Sequence, residues 1–406
     1  MRLGVFQPSF VAVGGAELLA ARQAAYFQAH AIEVKLVTFA FDAARWQGLL
    51  TGIPITTVPK RHWSDLLSAW TRIAKLKRRA QRAAQCFTNC DVVLAHNYPC
   101  STMLGVGGVR ARTVWQCNEP PRTLYLRDAN PVMTARVEQT GGRGIEDMCA
   151  PFAQRLQHGN PSPARRALDL RSIARLDEVY AISAFSRDNA RRIYGRCREE
   201  VIPPIVRFPT AVAHRSGLDR SGLKILVHSR LQRPKNIDTV LRGFARFRQR
   251  TCATAQLHVV GDGDHRRRLE DLAREICPAD AIRFHGYLSD EQVRAVYAAC
   301  DALALLPVDE PFGMVFPEAA AHGLLLVGPD HGGPMEILDG GRFGWVCDAF
   351  SPEKLAEALA QIWALGDAVV DRRREEADRA CRARYAVDVI GPQLLRLLRE
   401  LERTRL

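Results

Sequence analysis

Short apolar runs alternate along the first half of the chain with longer segments in which apolar residues recur at helical spacing. The runs predict strands, which lie at residues 2–6, 34–39, 55–58, 92–95, 113–116 and 178–183. The segments after the first and the last of these predict helices that reach about Ala29 and Tyr194. Strands and helices that alternate in this way are typical of a parallel sheet with helices on both faces.

The paired prolines Pro203 and Pro204 predict a stiff hinge, after which the pattern starts again. Further strands are predicted at residues 224–228, 257–260, 282–285, 302–305 and 324–327, with helices such as 237–249 and 290–299 between them. We therefore predict an α/β fold of two doubly wound, Rossmann-like domains, residues 1–205 and 206–385. The remaining residues, 386–406, contain a predicted helix that can belong to either domain or cross back to the first.

The chain of 406 residues is longer than one hydrophobic core usually serves, which agrees with two domains. No stretch approaches the ~20 apolar residues of a membrane span, and the N-terminus turns polar too soon for a signal peptide. The 11 cysteines include no C-x-x-C pair, so a disulfide scaffold and a zinc site are both poor interpretations. We expect a protein of the reduced cytoplasm.

The net charge of +13 suits phosphate-bearing ligands, an anionic membrane surface or nucleic acid, although an arginine bias from a GC-rich genome explains it equally well. The segment 64–87 is the clearest local case, because one side is apolar and the other carries Arg72, Lys75, Arg78, Arg79 and Arg82. Such a helix can lie on the inner face of a membrane, or it can cover a sheet with its charges in water. A peripheral membrane location therefore stays open beside the cytoplasmic one.

The segment 303–328 is the most informative for function. Glu310 and Glu318 stand with seven residues between them, after an apolar run that predicts a buried strand. Pro311 and Gly313 exclude one helix through both, so we predict a turn at 310–313 and a helix that begins near Met314. The N–H groups of a helix start bind anions, and two carboxylates accept hydrogen bonds from hydroxyl groups. This combination suits a phosphorylated sugar ligand.

Other predicted strand ends carry polar groups that would face a ligand crevice in this architecture. Arg230 and Lys235 share one loop and could hold a diphosphate, although a solvated basic loop fits the spacing as well. His96 and Asn118 end two strands of the first half, where a lone histidine is more often structural. The D-x-D of residues 262–264 is explained as well by a tight turn as by a metal site, and no further oxygen ligands are evident nearby.

The order and spacing of these motifs resemble the retaining nucleotide-sugar glycosyltransferases of family 4, which have the GT-B fold. The resemblance covers nearly all of the chain. It rests on residues 13–17, 181–186, 201–204, Arg230 with 235–236, 261–263, 284–287, 310–318 and 332–337. It implies two domains that face each other across a cleft, the first on the acceptor side and the second binding the nucleotide-sugar.

The resemblance also implies roles. Glu310, Asn118 and His96 are the candidate catalytic residues, and Glu318 would accept hydrogen bonds from the ribose hydroxyls. The remaining donor-binding candidates are Gly14, Gly15, Arg230, Lys235, Gly263, His285, Phe312, Gly313, Met314 and Val315. The resemblance implies no metal and no cofactor beyond the nucleotide-sugar co-substrate. It also implies that the departing phosphate itself helps take the acceptor proton, without a protein nucleophile. One departure is Asn118, where many relatives carry histidine, because an amide cannot carry a charge.

We therefore expect a retaining hexosyltransferase that uses a UDP- or GDP-sugar and a saccharide or lipid-linked acceptor. Residues 115–122 resemble some mannosyltransferase-like members, which favours GDP-mannose. The alternatives are a sugar-nucleotide 2-epimerase of the same fold, which the spacing of Glu310 and Glu318 disfavours, and a nucleotide-sugar-binding protein that Asn118 has impaired. Nucleic acid is not an expected partner, since no basic motif laced with aromatic residues occurs.

Overall fold

The structure, a computed structural model, describes residues 1–59, 72–140, 152, 163–209 and 216–403. The chain divides into two compact units. Unit 1 comprises Met1–Asn130, His158–Ile205 and Val387–Leu406, and unit 2 comprises Pro131–Gln157 and Val206–Ala386. Each unit is built on its own six-stranded sheet.

The sheet of unit 1 is entirely parallel, with the strand order β3-β2-β1-β4-β5-β6. Its strands are β1 (Arg2–Phe6), β2 (Glu33–Thr38), β3 (Ile55–Thr57), β4 (Val92–His96), β5 (Arg112–Cys117) and β6 (Glu178–Ala181). Its helices are α1 (Gly15–Ala29), α2 (Ala43–Trp46), α3 (Arg72–Gln85), α4 (Cys100–Gly107), α6 (Pro163–Ala174), α7 (Ala184–Tyr194) and α15 (Val387–Arg403); α5 (Pro131–Thr140) precedes α6 in the chain. Chain order reverses between β1 and β4, which is where ligands bind in such sheets.

Alternation along the strands of unit 1 builds a hydrophobic core on each face of the sheet. Val92 and Leu94 of β4 face one core, which α1 and α15 close, whereas Val93 and Ala95 face the other. The approach of α15 to α1 is close, because a Cβ on Gly391 would lie 2.1 Å from the ring of Tyr26. The last helix of the chain is therefore an integral part of the first unit.

The sheet of unit 2 has the order β12-β11-β10-β7-β8-β9, again all parallel. Its strands are β7 (Lys224–His228), β8 (Gln256–Val260), β9 (Ile282–Gly286), β10 (Ala302–Ala304), β11 (Leu325–Pro329) and β12 (Trp345–Cys347). Its helices, besides α5, are α8 (Ile237–Arg250), α9 (Arg266–Ile276), α10 (Asp290–Ala299), α11 (Val315–Ala321), α12 (Gly332–Ile337), α13 (Pro352–Trp363) and α14 (Asp367–Tyr385). Chain order reverses between β7 and β10, so both units have the same doubly wound topology.

The predicted α/β fold with two doubly wound sheets is confirmed, and eleven of the twelve strands lie where the apolar runs placed them. The sequence reading missed β12, which has only three residues. α5 groups with unit 2, although it falls within residues 1–205. The C-terminal helix, which the sequence left open between the two domains, groups with unit 1. Of the predicted helix 64–87, the structure has α3, and residues 64–71 lie outside the described part.

Among the described helices, none combines the length and the apolar character that crossing a bilayer requires.

Candidate functional site

The candidate site of unit 2 lies where chain order reverses. Strands β7 and β10 are neighbours, with Ile225 opposite Ala302 and Leu226 opposite Leu303. Their carboxyl ends lead into the loops that carry Lys235 and Glu310. Because parallel strands end at one edge of the sheet, this topology brings the two predicted residues together.

Lys235 and Glu310 form an ion pair in which Nζ donates to Oε2 at 2.6 Å. The two side chains are 23% and 18% exposed, respectively, so the pair is partly withdrawn from water. They come from residues 75 positions apart in the chain. The sequence predicted Glu310 as a catalytic residue and Lys235 as a donor-binding residue, but it did not predict that they bind each other.

The loop that carries Glu310 is held through its neighbour, Asp309. Asp309 is buried and left-handed, with φ of +53°. Its carboxylate accepts hydrogen bonds from the backbone N–H groups of Val132 and Met133, both at 3.0 Å, and so caps the N-terminus of α5. The backbone N–H of Asp309 donates to Nε2 of His331 at 3.3 Å.

His331 and Gly333 support the same loop from the turn after β11. Nδ1 of His331 contacts Oδ1 of Asp330 at 2.9 Å, and because Nε2 accepts a hydrogen bond, Nδ1 is the protonated nitrogen. The bond from His331 lowers the pKa of the Asp330 carboxyl. The N–H of Gly333 donates to the carbonyl oxygen of Glu310 at 2.9 Å. The backbone of Glu310 is therefore fixed on both sides.

Helix α11 begins next to this loop, as predicted. Gly313 is left-handed, with φ of +90°, and a Cβ there would lie 2.9 Å from the ring of Phe316. Met314 caps the helix and Val315 opens it, so their N–H groups are at its N-terminus. Phe312 is buried against Tyr385, with ring centroids 5.3 Å apart, and therefore can offer a ligand only its backbone.

Glu318 lies in the first turn of α11 and is half-buried. It is close to the buried Tyr297, whose pKa is raised well above its ordinary value by burial and then by the charge of Glu318. The Tyr297 hydroxyl contacts Nδ1 of His228, at the end of β7, at 2.9 Å. Burial lowers the pKa of His228 to about 4, so this histidine is neutral at neutral pH.

Arg230 lies in the exposed part of the loop after β7. The turn after β8 packs against that loop, since a Cβ on Gly263 would lie 2.3 Å from the carbonyl oxygen of Leu231. The N–H of Leu231 donates in turn to the carbonyl oxygen of Asp262 at 2.9 Å. The close packing of these two loops therefore requires glycine at position 263, independently of its predicted role in binding the donor.

His285 pairs with His258 of the neighbouring strand. The two rings are stacked at 5.2 Å, and Nε2 of His285 is 3.0 Å from Nδ1 of His258. Burial and the charge of Arg283 lower the pKa of His285, and burial and His285 lower that of His258 to about 4. The two rings therefore contribute uncharged hydrogen-bonding groups to this part of unit 2.

The D-x-D of residues 262–264 shows no sign of a metal site. Asp262 accepts a hydrogen bond from the N–H of Gly263 at 2.8 Å and pairs with Arg266 at 3.5 Å. Among the residues that the structure describes, no cluster of three or more His, Cys, Asp or Glu side chains could hold a metal ion.

In unit 1, Gly14 and Gly15 mark the start of α1. Gly14 is the N-cap, with an extended backbone at φ of −142°, and Gly15 is the first helical residue. Gly14 is buried, whereas Gly15 is exposed. The structure therefore places both at a helix N-terminus near the carboxyl end of β1.

Asn118 belongs to a chain of amides at the carboxyl ends of β1, β4 and β5. Its Oδ1 accepts from Nε2 of Gln116 at 3.0 Å, and its Nδ2 donates to Oδ1 of Asn97 at 2.9 Å. Gln23 of α1 donates to Gln116 at 2.7 Å, and Asn97 donates to Gln7 at 3.2 Å. Asn118 is only 8% exposed, and both its amide oxygen and its amide nitrogen are already engaged within this chain of amides.

His96 is fully buried at the end of β4. Neither ring nitrogen has a hydrogen-bond partner among the described residues. Burial lowers its pKa to about 3, so the ring is neutral across the physiological range. A neutral imidazole of this kind can donate or accept one hydrogen bond, but it cannot supply a positive charge.

No sequence pattern predicts the role of Asp309 and His331, which hold the Glu310 loop, or that of Asn236. Asn236 is buried and left-handed, and its Nδ2 donates to the carbonyl oxygens of Leu306 and Ala349. The available signal was residue type, because asparagine and aspartate tolerate left-handed backbone better than other non-glycine residues.

Two family models match the chain, one for each half. The model described as Glycosyltransferase Family 4 matches residues 13–207, and the model described as Glycosyl transferases group 1 matches residues 213–380. Together they account for most of the chain, and the second includes the loops that carry Lys235 and Glu310.

The chain is also similar to named glycosyltransferases. It is 29% identical over 217 residues to the GDP-mannose-dependent alpha-(1-6)-phosphatidylinositol monomannoside mannosyltransferase of Mycobacterium tuberculosis. This match covers 50% of this chain and 54% of that protein. It is 28% identical over 222 residues to the mannosylfructose-phosphate synthase of Agrobacterium fabrum, covering 50% and 46%. The chain thus spans about half the length of the curated relatives it matches.

Solved structures share the fold over almost the whole chain. HepE of Anabaena, crystallised with UDP and glucose, has a TM-score of 0.73 at 18% identity and covers 98% of this chain and 100% of its own. The sucrose-phosphate synthase of Thermosynechococcus elongatus has a TM-score of 0.71 at 17% identity, with 99% of each chain covered. At such identities the likeness establishes the fold alone.

Proposed function

Because the chain belongs to glycosyltransferase family 4 and has the GT-B fold, we propose that it transfers a hexose from a UDP- or GDP-sugar to a saccharide or lipid-linked acceptor. The observation that carries the proposal is the Lys235–Glu310 pair at the point where chain order reverses in unit 2, beside the start of α11. A cation, a carboxylate and the N-terminus of α11 within one loop cluster suit a sugar diphosphate.

We assign Lys235, Arg230 and the N-terminus of α11 to the donor diphosphate, Glu310 to the sugar and Glu318 to the ribose. Transfer would proceed with retention of the anomeric configuration and without a protein nucleophile. The departing phosphate would take the acceptor proton, so catalysis would depend on positioning and on charge stabilisation. Within unit 1, the neutral His96 and the amide chain at Asn118 would offer uncharged hydrogen-bonding groups at the carboxyl ends of β4 and β5.

GDP-mannose is the preferred donor in this proposal, and UDP-glucose is the principal competitor. A GDP-mannose-dependent enzyme is among the relatives, and HepE was crystallised with UDP and glucose. A lipid-linked acceptor would suit a cytoplasmic protein that visits the inner membrane surface, where the exposed Lys75 and Lys77 of α3 could meet anionic lipids.

The test is a thermal-shift screen against UDP, GDP and their glucose, galactose and mannose conjugates, followed by an assay of nucleotide release with candidate acceptors. A donor at a hundred times its Kd stabilises the folded state by about 2.7 kcal/mol, which raises Tm measurably. Binding together with acceptor-dependent nucleotide release supports the transferase. Binding of a nucleotide-sugar without release of nucleotide, whichever acceptor is added, favours the alternative of an impaired binding protein. That alternative is worth testing because the amide of Asn118 is bonded to neighbouring amides.

A further inference from the structure

The Lys235–Glu310 pair is preformed by two rigid loops. Lys235 ends a short 3₁₀ turn, Arg233–Lys235, and the next residue, Asn236, ties that turn to the carbonyl oxygens of Leu306 and Ala349. The backbone N–H of Val308 also donates to the carbonyl oxygen of Pro234 at 3.0 Å. The loop after β7 is therefore fastened directly to the chain that leads to Glu310.

This arrangement sets a limit on how a diphosphate can meet Lys235. A phosphate oxygen that accepts a hydrogen bond from Nζ lies about 2.8 Å from it. Since Nζ is 2.6 Å from Oε2 of Glu310, that phosphate oxygen cannot be more than about 5.4 Å from the carboxylate unless the pair separates. Two negative groups at this distance repel strongly in a partly buried site.

The bound sugar changes this balance. Its hydroxyl groups can donate hydrogen bonds to Glu310 and replace Lys235 as the partner of that carboxylate. A bare nucleoside diphosphate has no such hydroxyls and carries one more negative charge on its terminal phosphate. Glu310 would then lie beside the diphosphate after losing the bond from Lys235 and gaining no sugar hydroxyl in its place, which is costly for a partly buried carboxylate.

Resting on the proposed function, we propose that the Lys235–Glu310 pair selects the intact nucleotide-sugar over the nucleoside diphosphate. When the sugar is present, the diphosphate takes Lys235 and the sugar hydroxyls take Glu310. After transfer, Glu310 loses those hydroxyls and recaptures Lys235, which promotes release of the nucleoside diphosphate. Glu310 is thus a specificity-determining residue as well as a donor contact.

The test measures the equilibrium affinity of UDP, GDP, UDP-glucose and GDP-mannose for the wild type and for Glu310→Gln. The glutamine keeps the size of the side chain and removes its charge, so Lys235 is released to the diphosphate. We expect the variant to bind the nucleoside diphosphate at least ~10-fold more tightly, while the nucleotide-sugar gains less or loses affinity. The preference for the sugar-bearing ligand should therefore collapse.

The matched control is Glu357→Gln, which breaks an exposed Lys354–Glu357 pair of 2.7 Å elsewhere in unit 2 and should leave both affinities unchanged. Glu310→Ala provides a second variant that removes the charge, should the glutamine fail to fold. If a folded, uncharged variant binds the nucleoside diphosphate as weakly as the wild type or more weakly, the selection role is wrong. If the wild type binds neither nucleotide nor nucleotide-sugar, the proposed function itself is wrong.

Discussion

At the scale of single residues, the central feature is that Lys235 binds Glu310 in the structure and is the same side chain that we propose for the diphosphate. The lysine and the glutamate are each supported by buried neighbours, Asn236 and Asp309 respectively. Both neighbours are left-handed residues that no hydrophobic pattern predicts. The two candidate side chains were therefore predictable from motif spacing, whereas the residues that hold them were not.

The first prediction concerns transfer. Glu310→Ala and Lys235→Ala should each reduce transfer by at least ~100-fold, the scale of one strong electrostatic contact to a reacting group. The measurement is kcat/KM for donor in the acceptor-dependent release assay, with circular dichroism to establish folding. The Glu357→Gln variant should keep wild-type activity. Near-normal activity of both folded alanine variants would refute the site assignment.

At the scale of elements, α5 is attached to unit 2 through its N-terminus. Asp309 supplies two hydrogen bonds there, to Val132 and Met133, and Arg136 of the same helix stacks on the ring of Phe350 at 5.0 Å. The sequence assigned α5 to the first domain because the chain passes through it before β6. Membership of a unit depends on these long-range contacts, which the local pattern does not contain.

Asp309→Ala should therefore destabilise unit 2 by about 1–2 kcal/mol, because it removes the charged group that caps α5 and because alanine tolerates left-handed backbone less well than aspartate. Asp309→Asn should cost less, since asparagine tolerates that backbone and still accepts one hydrogen bond. Urea unfolding gives both values. An alanine variant as stable as the wild type would show that the two hydrogen bonds between Asp309 and α5 do not contribute to the free energy of unfolding.

A second element-scale prediction concerns the contact between the loop after β7 and the turn after β8. In Gly263→Ala, the new Cβ would meet the carbonyl oxygen of Leu231 at 2.3 Å, a backbone atom that also accepts a hydrogen bond from the N–H of His265. The loop must move, at a cost of about 1–3 kcal/mol. Because Arg230 is carried by the same loop, donor affinity should fall as well.

The matched control for this glycine is Gly48→Ala, since a Cβ on Gly48 would have no atom within 4 Å. Its unfolding free energy should stay within about 0.5 kcal/mol of the wild type. Binding of GDP-mannose and UDP-glucose by calorimetry gives the affinity comparison. Unchanged stability and affinity in Gly263→Ala would mean that the two loops adapt more easily than their contact suggests.

At the scale of the whole molecule, one hydrophobic pattern used twice explains why the fold was so readable. Both sheets have buried parallel strands, which appear as short apolar runs, and both follow the same winding. The membership of helices in the two units was harder to predict. The final helix packs on α1 in unit 1 through residues such as Ile390 and Leu394. Its apolar side is evident in the sequence, but the surface that it covers is not.

Histidines that folding keeps neutral make the stability of the molecule depend on pH. The pKa of His96 falls to about 3 in unit 1, and that of His228 to about 4 in unit 2, both through burial. An unfolded histidine has a pKa of about 6.5. At a pH between about 6.5 and the folded pKa, the unfolded chain binds a proton that the folded chain does not. The contribution of each histidine to the free energy of unfolding is therefore fully present above about pH 6.5 and is lost as the pH falls.

For His96, the loss between pH 6.5 and pH 5 should reach about 2 kcal/mol, and the other buried histidines act in the same direction. His96→Gln should flatten the pH dependence of the unfolding free energy by about that amount, whatever it does to stability at neutral pH. The exposed His30 provides the control, because His30→Gln removes a histidine without removing a buried one. Urea unfolding at pH 7.5, 6.5, 5.8 and 5.0 measures how the free energy of unfolding depends on pH. An equal pH dependence in His96→Gln and the wild type would mean that His96 takes up its proton over the same pH range in the folded and the unfolded chain, which would contradict its lowered pKa.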